Sequence, residues 1–337
     1  MPTGLHLPRD HGDPAAEYLA VRQAAGLVDH SGAGVVEVTG RDGAAFLHAM
    51  LSNDIKGLAA GQGCAAAFLD VHGKVQALLV VWALGDRLLV LTPPGGADTT
   101  IEALDKYLFS EKAYLRDATG ELTLLMLAGP EAPSLVQRMA GASLPGAAWS
   151  HLTAALDGTE VRLVRGGGET GEAEAWIVAP AEERPKLWQR LVDAGARPVG
   201  HAAWDALRIE AGLPLYGRDV DASVLLPEIP LERLVSHTKG CYLGQEVVVR
   251  IRDRGHVNRH LRGLAVEGDS VPEAGAAVEA GGAEVGRVTS AAFSYGFKRP
   301  VALAFVRRQH AEPGTAVVVK IGERAIRAAV TSLPFPR

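Results

Sequence analysis

The stretch AAAFLDVHGKVQALLVVWAL, residues 65–84, sets the architecture of the first part of the chain. Two apolar runs, AAAFLDV and KVQALLVVWAL, flank His72-Gly73, and the glycine supplies the backbone freedom of a hairpin turn. Working outward, GVVEV (34–38) reads as a strand. Asp42 to Leu51 reads as a helix with Phe46, Leu47, Met50 and Leu51 on one face. After the hairpin come the short strand RLLVL, a helix over 97–109 and the strand KAYLR. A similar order returns further on: LTLLMLAG (122–129), a helix near 132–140, strands EVRLV and EAWIV, a helix over 181–194 and a short return near Pro198. Strand-helix-strand-strand-helix-strand is the ferredoxin-like order, so two such α/β lobes are expected. The glycine-rich segments 141–147 and 166–171 fall in loops of the second lobe.

His201 to Glu210 reads as a further helix, with Trp204, Leu207 and Ile209 apolar. Beyond Leu261 the texture changes to short runs such as LRGLAV, AEVGRVTSA, VALAFV, AVVVKI and RAIRAAV. That spacing predicts an antiparallel barrel or sandwich of about six strands. The expected class is therefore α+β. Its expected parts are a first lobe over 1–120, a second over 121–200, a central segment over 201–260 and the C-terminal β-barrel over 261–337.

At 337 residues the chain exceeds one ordinary core, and its 47% apolar and 22% charged content is that of a folded protein. The apolar run Ala77–Leu84 is far shorter than a membrane span, and the N-terminus lacks the basic-then-apolar pattern of a secretory signal. With Cys64 and Cys241 the only cysteines, a disulfide framework is not expected, and neither is a four-thiolate cluster held by one chain. A cytoplasmic location is expected, with no membrane and no direct nucleic-acid partner. The net charge of −5 is uneven: Glu232–Arg262 carries seven Lys or Arg against three Asp or Glu. A basic segment on an acidic body favours anionic ligands.

Several chemistries find no support. Gly61-Gln-Gly63 and Gly166-Gly-Gly168 do not follow a strand and open a helix, as a dinucleotide fingerprint would. There is no C-x-x-C and no G-x-S-x-G, and no metal site is expected. The cysteines differ in kind. Cys64 opens the apolar run CAAAFL and reads as a core residue, whereas Cys241 sits in KGCYLGQE (239–246), two residues after Lys239. Nearby cations favour the thiolate, so Cys241 is the candidate reactive group, with small-residue packing as the bland alternative. The following VVVRIRDRG fits either a strand or a helix; as a helix it pairs Glu246 with Arg250 at i,i+4. In RIEAGLPLYGRD (208–219), Glu210 precedes a turn, where it could accept an amidine-like edge or pair with a neighbouring arginine.

Taken together, three stretches carry a family resemblance that spans nearly the whole chain. Residues 21–63, VRQAAGLVDHSGAGVVEVTGRDGAAFLHAMLSNDIKGLAAGQG, resemble the N-terminal signature of the glycine-cleavage T-protein superfamily, and ALRIEAGLPLYGRD (206–219) resembles its central motif. KGCYLGQE resembles the hallmark of one branch, the YgfZ-type folate-binding proteins, where T-proteins show a KGDFIGRE-like sequence. The resemblance implies a three-domain ring around a central tetrahydrofolate cleft. It places the pterin-contacting glutamate on Glu210, with Glu228 of LLPEIP as a second position. It carries the branch motif onto Lys239, Gly240, Cys241, Tyr242, Gly244, Gln245 and Glu246, with Arg250, Arg252 and Arg254 available to the anionic folate tail.

One departure bears on mechanism. Methyl-transferring T-proteins carry a GGVIDDLIV-like stretch, and here HGKVQALLV puts Gln76 and Ala77 where the acidic pair would be. A neutral amide cannot act as a carboxylate acid or base. The resemblance therefore implies a tetrahydrofolate-binding accessory factor for iron–sulfur cluster assembly or repair, with links to tRNA modification. Its partners would be assembly or client proteins, and Cys241, activated by Lys239, would be its reactive thiol. The alternative is a folate-dependent aminomethyl- or demethyl-transferring enzyme that uses a different acid or base.

Overall fold

The computed structural model describes residues 7–230 and 232–336. Its helices are α1 (Pro14–Gln23), α2 (Gly43–Met50), α3 (Ala97–Asp105), α4 (Ala132–Ala140), α5 (Arg184–Asp193), α6 (His201–Glu210) and α7 (Gln245–Arg254). A five-stranded antiparallel sheet orders its strands 63–69, 75–83, 88–92, 34–39 and 114–117. The predicted hairpin is its edge pair, with Phe68 opposite Ala77 and Cys64 opposite Val81. The helices α2 and α3 pack their apolar faces on this sheet, in a core holding Phe46, Leu47, Phe68, Val81 and Leu104.

The second sheet orders its strands 197–198, 26–29, 122–128, 174–180, 159–165 and 151–156. Here the structure departs from the expected boundary at residue 120. Gly26–Asp29 lies inside this sheet, with Leu27 opposite Leu127 and also beside Pro198. The reason is local. Four residues, GLVD, hold too little alternation to declare a strand, and their partners lie about a hundred residues away. Both α/β layers thus share the N-terminal segment. The C-terminal part is a closed six-stranded barrel, as the strand spacing predicts, in the order 259–266, 299–307, 283–294, 277–280, 316–321 and 324–331.

Helix α6 is the pivot between these parts. Eight of its ten residues, Ala203–Glu210, are buried, so it is enclosed on more than one face and carries Asp205, Arg208 and Glu210 into the interior. It ends in a Schellman motif, in which Leu213 N–H donates to the Arg208 carbonyl and Gly212 N–H to that of Ile209. Gly212 carries φ +72°, the left-handed conformation this cap demands. The same turn buries Arg208 completely. Its guanidinium donates to Asp205 at 2.6 Å, Asp219 at 2.8 Å, the Leu213 carbonyl at 3.1 Å and Ser290 of the barrel at 2.7 Å.

A single mutation probes this pivot. Arg208→Met leaves the buried Asp219 carboxylate without its cation, and removal of one partner of a buried pair costs about 3–5 kcal/mol. Equilibrium denaturation is expected to show a loss of that size, and a loss below about 1 kcal/mol would contradict the pivot role.

Candidate functional site

The two lobes and the barrel meet at one apolar core. Trp82 and Leu89 enter it from the first sheet, Trp176 from the second, Trp149 from the turn before strand 151–156, Trp204 from α6, and Leu303 and Phe305 from the barrel. The residues singled out by sequence are distributed around this junction.

Glu210 faces inward. Its carboxylate accepts from the Tyr18 hydroxyl at 2.8 and 3.0 Å and from Arg22 Nη2 at 2.5 Å, and its side chain is 3% exposed. Arg22 also donates to Thr170 and ion-pairs with Glu172, so this cluster clamps α1, α6 and the 166–172 loop together. Glu228 lies against the start of the barrel, accepting from Arg259 Nε at 3.1 Å and from Leu225 N–H at 3.3 Å. Burial pushes its pKa up while Arg259 opposes the shift. The Arg259 guanidinium in turn lies 4.5 Å over the Phe305 ring.

KGCYLGQE is a docking clip on the first lobe. The Lys239 ammonium donates to the carbonyls of His48, Leu51 (2.6 Å) and Asn53 (3.0 Å), where the end of α2 leaves its last carbonyls without helical partners. Burial lowers its pKa to about 8. Tyr242 is buried beneath it, with Nζ 5.0 Å from the ring centre. Gly244 has φ +79°, and a Cβ there would strike the Asp70 carbonyl of the β-hairpin turn. Gln245 and Glu246 open α7, which settles the strand-or-helix ambiguity, and the Glu246–Arg250 ion pair does not form among the described residues. Cys241 is exposed, and Lys239 is committed to the α2 carbonyls, a partner set different from the expected thiol activation. Along α7, Arg250, Arg252 and Arg254 are exposed, with Arg252 paired to Asp253. Gln76 lies half-buried at the start of its strand, its amide donating to the Lys74 carbonyl at 3.4 Å.

The most unusual electrostatics lie where sequence reading saw only a glycine-rich loop. Glu174 accepts from Gly168 N–H (2.8 Å), Thr170 N–H (2.7 Å) and Thr170 Oγ1 (3.0 Å), which winds residues 166–171 around its carboxylate. Glu169, on the same loop, accepts no hydrogen bond among the described residues, and its carboxylate lies 3.9 Å from His30 Nε2. Burial and then Glu174 push Glu169 up to about 8, with Arg233 opposing. His30 stacks on Trp176 at 4.8 Å and meets the edge of Trp204 at 5.6 Å. Burial holds His30 down to about 4. His30 Nε2 and the indole N–H groups of Trp176 and Trp204 are buried without partners. No motif spacing marks these residues, because they come from a strand end, a loop, a strand and a helix far apart in sequence.

No group of three or more metal-ligating side chains occurs among the described residues; His256 and His260 have suitable spacing but sit in a loop and on a strand. No helix among the described residues is long and apolar enough to cross a membrane.

Two α/β layers and a closed barrel thus meet at an aromatic junction that holds unpartnered polar atoms, and comparison places this architecture in a known family. Residues 7–239 match the GCVT N-terminal domain and residues 259–336 the glycine cleavage T-protein C-terminal barrel domain, so the chain belongs to the glycine-cleavage T-protein family. It is 34% identical to an aminomethyltransferase of Streptomyces avermitilis, covering 99% of this chain and 92% of the relative. An aminomethyltransferase of Rubrobacter xylanophilus is 33% identical over 99% and 89%. The crystal structure of the glycine cleavage system aminomethyltransferase T of Bartonella henselae superposes with a TM-score of 0.88 at 27% identity, covering all of this chain and 93% of that one.

Two solution properties follow from this geometry. Exposed Cys241 is expected to react promptly with a disulfide thiol reagent. Cys64, whose thiol burial pushes up to about 12, is expected to react only on unfolding. Two fast equivalents in the native protein would contradict this. The second property is a pH response. With its pKa lowered to about 4, His30 contributes stability that is present above about pH 6.5 and lost as pH falls toward 4. His30→Asn is expected to shrink the stability loss between pH 7 and pH 4.5 by roughly 2–3 kcal/mol, measured by urea denaturation. An unchanged loss would contradict the buried neutral imidazole.

Proposed function

We propose that this chain binds tetrahydrofolate at the three-part junction and acts in folate-dependent one-carbon transfer of the aminomethyltransferase class. The carrying observation is the end-to-end match to relatives named aminomethyltransferase, at 34% identity over 99% of the chain. The residues fit a folate. The junction offers buried indole N–H groups and an imidazole nitrogen without internal partners, suited to a flat heteroaromatic ring. The exposed Arg250 and Arg254 of α7 would attract the anionic tail. Glu210 and Glu228 are each engaged by an internal arginine, so either would meet a ligand only by exchanging an existing bond. When bound, tetrahydrofolate supplies the nitrogen that accepts the one-carbon unit; the chain's own residues orient it and exclude water. Gln76 supplies no carboxylate, so the acid or base differs from that of a T-protein with the acidic pair.

A second reading rests on one specific observation. Lys239, Tyr242, Leu243 and Gly244 of KGCYLGQE are held in the packing, while Gly240 and Cys241 between them are exposed. That presentation favours a thiol offered to another macromolecule, as in the iron–sulfur accessory role of the YgfZ-type branch. The names of the relatives speak of transferases and say nothing of clusters or tRNA, so this reading stands second.

Titration with tetrahydrofolate is expected to give saturable quenching of tryptophan fluorescence, because the indoles surround the junction. Incubation with tetrahydrofolate and an aminomethylated carrier protein, or a methylated amine, is expected to yield a one-carbon folate detected by mass. Binding without product from either donor would overturn the transferase reading and leave the accessory one. For that one, Cys241→Ser should lower iron–sulfur enzyme activity in cells without weakening folate binding, and undiminished activity would remove it.

A further inference from the structure

The carboxylates around the junction can be sorted by what already holds them. Glu17 accepts from His11 and Gly200 N–H groups, Glu174 from its own loop, Glu210 from Tyr18 and Arg22, and Glu228 from Arg259. Asp205 and Asp219 are consumed by Arg208 and Arg218. Glu169 is left. Its side chain is 17% exposed, accepts no hydrogen bond among the described residues, and faces an imidazole that is itself 94% buried and unpartnered at Nε2. Leaving a buried polar atom such as His30 Nε2 unsatisfied is costly, about 1–3 kcal/mol, and native proteins retain one where a ligand or water completes it.

We propose that Glu169, backed by His30, is a ligand-facing carboxylate. It receives an N–H donor edge from the bound small molecule, while the Trp176 and Trp204 indole N–H groups donate to acceptors on the same molecule. The donor set supports this chemistry. A carboxylate takes two parallel N–H groups, or one ammonium, in a charge-assisted pair. His30 and Trp176 stack as a pair of flat rings beside Glu169, a setting that suits a flat ring or a cationic nitrogen. Two sources carry such an edge, the amidine-like edge of a pterin and the nitrogen of a methylated amine donor.

The loop is built to hold this side chain in place. Glu174 pins residues 168 and 170 on either side of it, and Arg233 Nη1 donates to the Gly167 carbonyl at 2.6 Å, closing the loop from above. The titratable and charged groups around Glu169 are His30, with Asp29 behind it, Glu174 and Arg233. With its proton retained up to about 8, Glu169 must release that proton to receive a cationic or N–H edge at neutral pH. Ligand binding and proton release are therefore coupled. This inference rests on the reading of the junction as the substrate-binding region.

Calorimetric titration at pH 7, in two buffers of different ionisation enthalpy, reads both affinity and protons released. The probes are tetrahydrofolate and, separately, N,N-dimethylglycine, on the wild type, Glu169→Gln and Trp176→Phe, each first shown to melt like the wild type. For the ligand that uses this edge, Glu169→Gln is expected to weaken binding at least about tenfold and to abolish proton release. Trp176→Phe should weaken binding several-fold while leaving the proton count intact. If tetrahydrofolate binds the wild type and Glu169→Gln changes neither affinity nor proton count for any ligand bound, this inference falls and the folate reading stands. If tetrahydrofolate fails to bind the wild type, the folate reading falls, and the dimethylglycine arm alone decides on Glu169. If neither binds, both fall.

Discussion

A single guanidinium, fully enclosed, holds the molecule's parts in register. Arg208 reaches Asp205 on its own helix, Asp219 after the following turn and Ser290 on the barrel. Removing a charge from water is expensive, and only near-complete hydrogen bonding offsets it. That requirement fixes α6, the 213–219 turn and the barrel strand together, because no other arrangement supplies the same acceptors. Thr289, beside Ser290, extends the network by donating to the free oxygen of Asp219 at 2.6 Å. From this pivot Trp204 projects to the junction core, so the aromatic wall of the site depends on the same buried charge.

The sequence motifs look different once their atoms are placed. In RIEAG, the arginine builds the pivot, the glutamate clamps α1, and the glycine caps the helix with a left-handed residue. In KGCYLGQE, Lys239 closes the end of α2, Tyr242 fills the core and Gly244 permits contact with the β-hairpin turn. A motif can be specific because it assembles domains rather than because each letter touches substrate. Within this octapeptide Gly240, Cys241 and Glu246 are exposed, and Cys241 alone of the three carries a thiol.

Legibility followed the range of the interactions. The 65–84 hairpin, α6 and five of the six barrel strands were visible because alternation, helical periodicity and turn residues act within a few positions, whereas the four-residue strand Ala277–Ala280 was not singled out. Gly26–Asp29 was not visible, since its partners, Leu125–Ala128, are distant and its own four residues carry no period. The helical state of VVVRIRDRG was ambiguous because strand alternation aligns Val247, Val249 and Ile251 while the helical period stacks Val247 over Ile251; docking of Gly244 on the β-hairpin turn and burial of Val248 decide it. Glu169 was hidden for a stronger reason. Its character comes from His30, Glu174 and Arg233, brought together only by the fold, and no local pattern encodes a missing hydrogen bond.

That last point reframes the absent acidic pair at positions 76 and 77. Replacing a carboxylate by Gln76 removes charge from the first sheet, but it does not leave the junction without acids. The second sheet's loop brings a carboxylate whose proton is retained well above its usual range, next to an imidazole that stays neutral. Two neighbouring groups pushed in opposite directions by one low-dielectric setting form an acid and a base that coexist at neutral pH. The groups at the junction able to hold and to accept a proton therefore come from the second sheet and its loop, not from the strand that carries Gln76.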